Sequence, residues 1–426
     1  MNNQHPLSVG IYSEPTVCFC LHTPYTFEGQ TFEGEQTVSV RNGKVLFGGK
    51  EYDEIIFRGG GRFTLQGVTI GVHFHWERKE DQTFAGDLRL IVEEGKVTAI
   101  NLLGVEDYLT SVISSEMSAT SHIELLKAHA VISRSWVLRP ILNPSGLPAQ
   151  PSHKAQPTDT EHITWYERDA HTHFDVCADD HCQRYQGITR QTSDNVRKAI
   201  EATWGEVLTY GGKICDARFY KSCGGATELF DNCWADETHP YLQAVRDAET
   251  GTPLPDLTDE AQAEQWIRTA PDAFCNTSDK RILSQVLNNY DQETTDFYRW
   301  RVQYTQQELS ELVRCRSGID FGTVLDLRPV RRGPSARLVE LEIVGTKHRM
   351  VIGKELEIRK WLSHSHLYSS AFVVDRNDNQ DFILIGAGWG HGVGLCQIGA
   401  AVMAERGYTY QQILAHYFPG ASLQRM

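Results

Sequence analysis

The sequence predicts an α+β protein: a β-rich N-terminal part, a mixed α/β core that carries a Cys/His loop, and an inserted helical segment. Three observations predict it. Apolar–polar alternation broken by tight-turn pairs runs through residues 1 to about 103. An apolar stripe of helical period follows at Val105, Tyr108, Leu109, Val112 and Ile113, spaced i, i+3, i+4, i+7 and i+8. Strand patterns and helix caps then alternate from about residue 194 to the C-terminus.

In the first part, residues 37–41 and 44–47 flank Asn42-Gly43, the pair favoured by a two-residue type I′ turn, and so form a hairpin. Residues 88–92 and 97–102 flank Glu94-Gly95 in the same way and lead into the Val105 helix. His73 and His75 share one face of a strand with no third ligand nearby, which reads as structural.

Glu116 falls just past the end of the Val105 helix. The next helix is expected to start with Ser121 as N-cap and Glu124 closing a capping box, with Leu125, Ala128, Ile132 and Trp136 facing inward. Lys127 and Arg134 occupy the neighbouring face about two turns apart, Arg134 looking back toward the Ser-Glu-Met corner. An acid on a corner held by packed helices is well placed for proton transfer.

Prolines 140, 144, 148, 151 and 157 mark a mobile connection. Asp194 caps a short helix through Val196, Ala199 and Ile200, and strands 206–210 and 214–220 meet across Gly211-Gly212. Residues 246 to about 316 are acidic, then helical, with a stripe at Ile282, Val286 and Leu287 and a capping box at Thr305 and Glu308. Strands return over 323–352. A hairpin of 371–374 with 382–385 leads to a glycine-rich string, and a helix ending at Gly407 and another capped by Thr409 with Gln412 close the chain. The expected division is 1–85 as a β-rich domain, 86–245 as the core with the Glu116 helix pair and the Cys/His loop, 246–322 as an insertion, and 323–426 as returning strands and the glycine-rich segment.

With 426 residues and 40% apolar content the chain can bury a full core. Its net charge of −14 argues against a nucleic-acid partner, because no segment supplies a basic face for phosphate. No apolar run approaches the ~18 residues of a membrane span. The first residues lack the basic start, apolar stretch and cleavage site of a secretory signal, so either an export segment precedes them or the protein stays inside.

Ten cysteines are too few for a disulfide scaffold in this length. His171, His173, Cys177, His181 and Cys182 lie within one short loop. Zinc takes four nitrogen or thiolate ligands in a tetrahedron, and Cys177, Cys182, His181 and one of His171 or His173 meet that need. Four protein ligands would make the site closed and structural. A Cys177–Cys182 disulfide is the alternative, but it gives the histidines no role. Elsewhere Tyr220-Lys221-Ser222-Cys223-Gly224-Gly225 ends a strand in a polar turn where Gly-Gly admits a close approach, and Tyr220 and Lys221 can hydrogen-bond sugars or carboxylates. Glycines alternate at 386, 388, 390, 392 and 394 around Trp389 and His391, a pattern that reads as a ligand-facing loop. It lacks the Lys-Ser/Thr ending of a phosphate loop. His391 with Cys396 also sketches a thiol nucleophile, though neither has an evident orienting partner.

Together these strings resemble the stage II sporulation protein D and amidase-enhancer family of bacterial cell-wall proteins. The matching pieces are the Tyr108-Leu-x-x-Val-x-x-Ser-Glu116-Met corner with Lys127-Ala128 and Arg134, the Asp175-x-Cys177 to Gly187 loop, and Tyr220-x-Ser222-x-Gly224-Gly225-x-Thr227-Glu228. Trp389-Gly-His-Gly-Val-Gly with Gln397-x-Gly399-Ala400, and the ending Ile413-Leu-x-His416-Tyr417-x-Pro419-Gly420, complete the set. The resemblance spans roughly residues 86–426. It implies action on peptidoglycan: some members are lytic transglycosylases acting on glycan strands stripped of stem peptides, which leave 1,6-anhydro ends, and others chiefly stimulate an N-acetylmuramoyl-L-alanine amidase. It implies Glu116 as catalytic acid/base, with Arg134, Tyr220 and Lys221 in support. Ser222, Gly224, Gly225, Trp389, His391 and Gln397 then fall to substrate binding, and His171, Cys177, His181 and Cys182 to a structural zinc. The expected partners are glycan strands and a cell-wall amidase, and the expected place is the extracytoplasmic envelope. The chain departs from many relatives in having Leu395-Cys396 where they show Met-Ser. Cys223, Cys233, Cys275 and the acidic 246–280 stretch look local to this branch.

Overall fold

The computed structural model describes residues 4–70, 78–118, 121–143, 158–166, 171–179, 182–189, 194–286 and 296–426. His73, His75, His181, Leu287 and most of the proline-rich connection lie outside the described residues. The chain forms two compact units, each drawn from two stretches: residues 1–120 with 168–205, and residues 121–167 with 206–426.

The first unit is built on two antiparallel-rich sheets. One orders its strands Val176–Cys177, Pro6–Glu14, Lys96–Gly104, Asp87–Glu93 and Glu54–Phe57. The other orders them Lys50–Tyr52, Lys44–Phe47, Gln30–Arg41, Thr16–Phe27, Arg62–Ile70 and Arg78–Ala85. Both expected hairpins form: Arg41 pairs with Lys44 across Asn42-Gly43, and Glu93 pairs with Lys96 across Glu94-Gly95. Alternation along the strands sends one set of side chains between the sheets. Phe57 meets Phe19 and Phe47 at 5.4 Å, Phe32 at 5.6 Å and Phe27 at 5.8 Å between ring centroids. The helix Val105–Glu116 buries Val105, Tyr108, Leu109, Val112 and Ile113, the stripe read from its spacing, and Glu116 is its last residue.

In the second unit a helix spans Ile123–Leu142 and buries Leu125, Ala128, Ile132 and Trp136. Its cap differs from the expected one. His122 is the N-cap and its side chain accepts from Glu124 N, because the Ser121 hydroxyl is already committed to Gln285 O at 2.6 Å. Four strands in the order Glu161–Ile163, Arg349–Gly353, Leu338–Gly345 and Val324–Arg332 form one sheet, and Arg299–Tyr304, Phe382–Ala387 and Phe372–Arg376 form another. Trp300, Phe321, Leu341, Ile343, Ile352, Trp361, Phe372 and Leu384 share one core with the helix Gln306–Ser317. The capping boxes at Thr305 and Thr409 are both present. A parallel pair, Phe219–Tyr220 with Leu395–Cys396, brings the polar turn beside the glycine-rich string. Among the described residues no helix is long and apolar enough to cross a membrane.

Phe57→Ala, which empties the centre of the ring cluster, is expected to destabilise the first unit by about 3–5 kcal/mol, seen as a lower urea midpoint for loss of β-sheet circular dichroism.

Candidate functional site

In the first unit the half-buried Glu116 accepts a hydrogen bond on Oε1 from Arg184 N–H at 2.9 Å. That amide is fixed by the loop carrying it. Tyr185 is 2% exposed, stacks on Tyr108 at 5.3 Å and donates its hydroxyl to Asn101 Oδ1 at 2.6 Å. Tyr108 donates to Gln183 Oε1 at 3.3 Å, and Gln186 N–H donates to Ser111 Oγ at 3.1 Å. The loop is therefore tied to the helix at 183, 184, 185 and 186 in succession.

The same loop carries a ligand group. His171, Cys177 and Cys182 hold their Nε2 or Nδ1 and Sγ atoms within 4.8 Å of one another, with His171 Nε2 3.3 Å from Cys182 Sγ. Cys177 N–H points at Cys182 Sγ at 3.5 Å. Of the two histidines left open by the sequence, His171 stands with the thiols. His173 is exposed, and its carbonyl accepts from Arg89. Pairing of Val176–Cys177 with Val9 and Gly10, and two hydrogen bonds from Ser8 to Asp175, hold the loop's other end.

In the second unit Arg134 is 1% exposed and donates to Ala130 O and, at 2.8 Å, to Glu206 O, so its guanidinium ties a strand to its own helix. Lys221 Nζ donates to Val286 O at 2.5 Å. Ser222 and Trp389 exchange backbone hydrogen bonds at 3.0 and 2.7 Å, joining the polar turn to the glycine-rich string. The room left by the turn's glycines is taken by the chain itself: a Cβ on Gly224 would lie 2.8 Å from Gly388 N, and one on Gly225 2.7 Å from the Trp266 ring. Gly392 has φ +89° and lies against the Arg337 guanidinium, which a Cβ there would approach to 2.7 Å. The alternation of glycines thus serves close internal packing.

Arg337, which no sequence signal marked, is fully buried. It donates to Gly390 O, Cys223 O and Ser335 Oγ and so pins both segments. Trp389 remains half-buried, with its ring 4.2 Å from Tyr368 and 4.7 Å from Phe297. His391 receives Val393 N–H on Nδ1 at 3.1 Å, which leaves Nε2 protonated to donate to Phe219 O at 3.0 Å. Burial, and then Arg218, Arg359 and Arg337, hold its pKa well below the usual histidine value. With both nitrogens engaged by backbone and the Cys396 thiol fully buried and pushed up by burial, the two do not form a nucleophile–base pair. Gln397 is buried and hydrogen-bonds His129 Nε2 at 3.2 Å.

A second potential ligand group, Cys223, Asp247, Cys275 and Cys396, is wholly buried in this unit, its four ligand atoms within 4.8 Å of one another.

Residues 93–210 match the family of stage II sporulation proteins, and residues 228–394 match a domain of unknown function (DUF8618). Residues 93–210 thus carry the stage II sporulation protein domain, and much of the chain is similar at modest identity to proteins of the stage II sporulation protein D and amidase-enhancer family that its motifs indicated. It is 24% identical to stage II sporulation protein D of Bacillus amyloliquefaciens over 325 residues, covering 76% of this chain and 75% of that protein. It is 26% identical to the amidase enhancer of Bacillus subtilis (strain 168) over 244 residues, which cover 54% of this chain and 33% of that longer protein. An uncharacterized protein of Brachyspira hyodysenteriae is 25% identical over 372 residues, 87% of this chain and 76% of its own length. These similarities support a peptidoglycan-related function. Glu116, Arg134 and the Cys/His loop fall inside the sporulation-protein match, and Trp389 and His391 inside the second.

Five histidines of the second unit, 129, 239, 366, 391 and 416, have pKa values lowered chiefly by burial, to about 3 for His129 and about 4 for His239, His366 and His416. In the unfolded chain they protonate near ~6.5. The unfolded state therefore binds more protons below that pH, and the contribution to stability is complete above ~6.5 and lost as pH falls through 4 to 3. Denaturant midpoints should fall steadily over that window, and His129→Gln should flatten part of the slope.

Proposed function

We propose that this protein cleaves peptidoglycan glycan strands already stripped of stem peptides, as a lytic transglycosylase, with Glu116 as general acid and then base. Glu116 protonates the glycosidic oxygen between N-acetylmuramic acid and N-acetylglucosamine. It then takes the proton of the muramic 6-hydroxyl as that oxygen closes a 1,6-anhydro ring. One carboxylate suffices because the nucleophile belongs to the substrate, so the second carboxylate of most glycosidases is not required. The observation that carries the reading is the amide of Arg184 on Glu116 Oε1. A carboxylate half-buried on a helix end and oriented by a loop that is itself fastened at residues 183, 185 and 186 is pre-set for proton transfer.

In this reading Arg134, Tyr220 and Lys221 are positioning residues. The half-exposed Trp389 offers an aromatic face to a sugar ring, and Ser222, Gly224, Gly225, His391 and Gln397 shape the segment that presents it. His171, Cys177 and Cys182 would hold a zinc ion, with His181 as the fourth ligand. The donor set fits, since two thiols and an imidazole converge and a backbone amide points at one sulfur. Bound there, zinc would supply a structural clamp on the loop that orients Glu116.

A second reading is favoured by one observation, the name of the Bacillus subtilis relative. As an amidase enhancer the protein would bind glycan through the Trp389 segment and stimulate a cell-wall amidase without cutting strands. Either activity places it where peptidoglycan lies.

Mass spectrometry of stem-peptide-free glycan incubated with the protein separates the two. Anhydro-muramic ends should form, and Glu116→Gln should slow them at least ~100-fold while leaving glycan binding intact. Binding with no new ends, together with faster turnover of an added amidase, would establish the second reading. Cys182→Ser should lose the loop's zinc and raise hydrogen exchange at Arg184 N–H.

A further inference from the structure

The fully buried group in the second unit is unlike the loop site. It is assembled from four distant parts of the chain: Cys223 in the polar turn, Asp247 and Cys275 at either end of the acidic segment, and Cys396 at the N-cap of the helix Gln397–Glu405. Cys223 Sγ and Cys275 Sγ are 3.3 Å apart. Three backbone amides point at sulfur: Cys223 N–H and Gly399 N–H at Cys396 Sγ, 3.3 and 3.4 Å, and Gly225 N–H at Cys223 Sγ, 3.3 Å. Such donors suit thiolates, which accept hydrogen bonds strongly, better than thiols, which accept weakly.

Asp247 is oriented from both sides. Tyr417 Oη donates to its Oδ1 at 2.6 Å and Cys275 N–H to its Oδ2 at 2.8 Å, the outer hydrogen bonding that fixes a ligating carboxylate. The Ser222 hydroxyl, fully buried and without a conventional hydrogen bond, lies against Cys275. The Tyr220 hydroxyl, also buried without a partner, lies within electrostatic reach of Cys223 and Cys396.

The surrounding charge has the matching sign. Arg337, Arg299 and Arg246 each donate to one of three successive carbonyls of the turn, those of Cys223, Gly224 and Gly225, at 3.3, 3.1 and 3.1 Å. Three guanidiniums on one short turn would be costly beside a neutral thiol cluster. Beside three thiolates and a carboxylate around a divalent ion, whose sum is still negative, they are the required counter-charge.

We propose that Cys223, Cys275, Cys396 and Asp247 form a second, closed metal site that takes a thiophilic divalent cation, zinc by its preference for tetrahedral thiolate coordination. On binding, the three thiols lose their protons to solvent and no electron is transferred. Tetrahedral zinc–thiolate geometry sets sulfurs about 3.8 Å apart, so the present spacing needs only small outward shifts. A Cys223–Cys275 disulfide would instead leave Cys396 and Asp247 buried with no role. The site would hold the polar turn, the acidic segment and the glycine-rich string to one ion, independently of what Glu116 does.

The test is metal content of the full chain, purified under reducing conditions and measured by plasma mass spectrometry. The proposal expects two zinc equivalents in the parent, one lost in Cys182→Ser and a different one lost in Cys396→Ser. Should Cys396→Ser fail to fold, cobalt replaces zinc in parent and Cys182→Ser proteins. Thiolate-to-cobalt charge-transfer bands that persist in Cys182→Ser support the site, and their complete loss refutes it. Full zinc content in folded Cys396→Ser, or a Cys223–Cys275 disulfide in peptide maps of the parent, would also overturn it.

Discussion

The geometry around Glu116 in the first unit depends on one buried ring. Tyr185, set between Tyr108 and Phe84 with its hydroxyl on Asn101, fastens a loop that has little regular structure of its own to both a helix and a sheet. A loop's backbone polar groups normally face water. Here the neighbouring amide of Arg184 is turned instead onto a carboxylate, and Cys182, two residues before it, joins His171 and Cys177. The amide that meets Glu116 and a thiol of the potential ligand group thus lie two residues apart on one short piece of chain.

The second unit solves a different problem. Its two motif segments, the polar turn and the glycine-rich string, are both poor in side chains that can fill space, so backbone must pack on backbone. Gly388 lies against Cys223, and Gly392 against Arg337, contacts that no larger residue would permit. The carbonyls exposed by this packing are met by guanidiniums, those of the buried Arg337 and the half-buried Arg299 and Arg246. Trp389 keeps a half-exposed face beside the half-buried Tyr368, with Phe297 buried behind it.

Much of the fold was legible because it is written in local patterns. The stripe at Val105–Ile113 and the turn at Asn42-Gly43 need only their own neighbours, and both formed as read. So did the Thr305 and Thr409 caps. The Ser121 cap failed for a reason no local pattern holds, since its hydroxyl is claimed by Gln285, far along the chain. The glycine alternation was visible, but its reading as ligand-facing missed that the approaching surface is the protein's own. Arg337, and the convergence of Cys223, Asp247, Cys275 and Cys396, were illegible because both exist only after distant strands pair. Buried charge leaves no periodic trace.

The chain passes from one unit to the other three times, after residues 120, 167 and 205. Neither unit is therefore a continuous tract of the gene. A single recombination break cannot transplant one without severing the other, so ancestry should have handed down the pair as an indivisible inheritance.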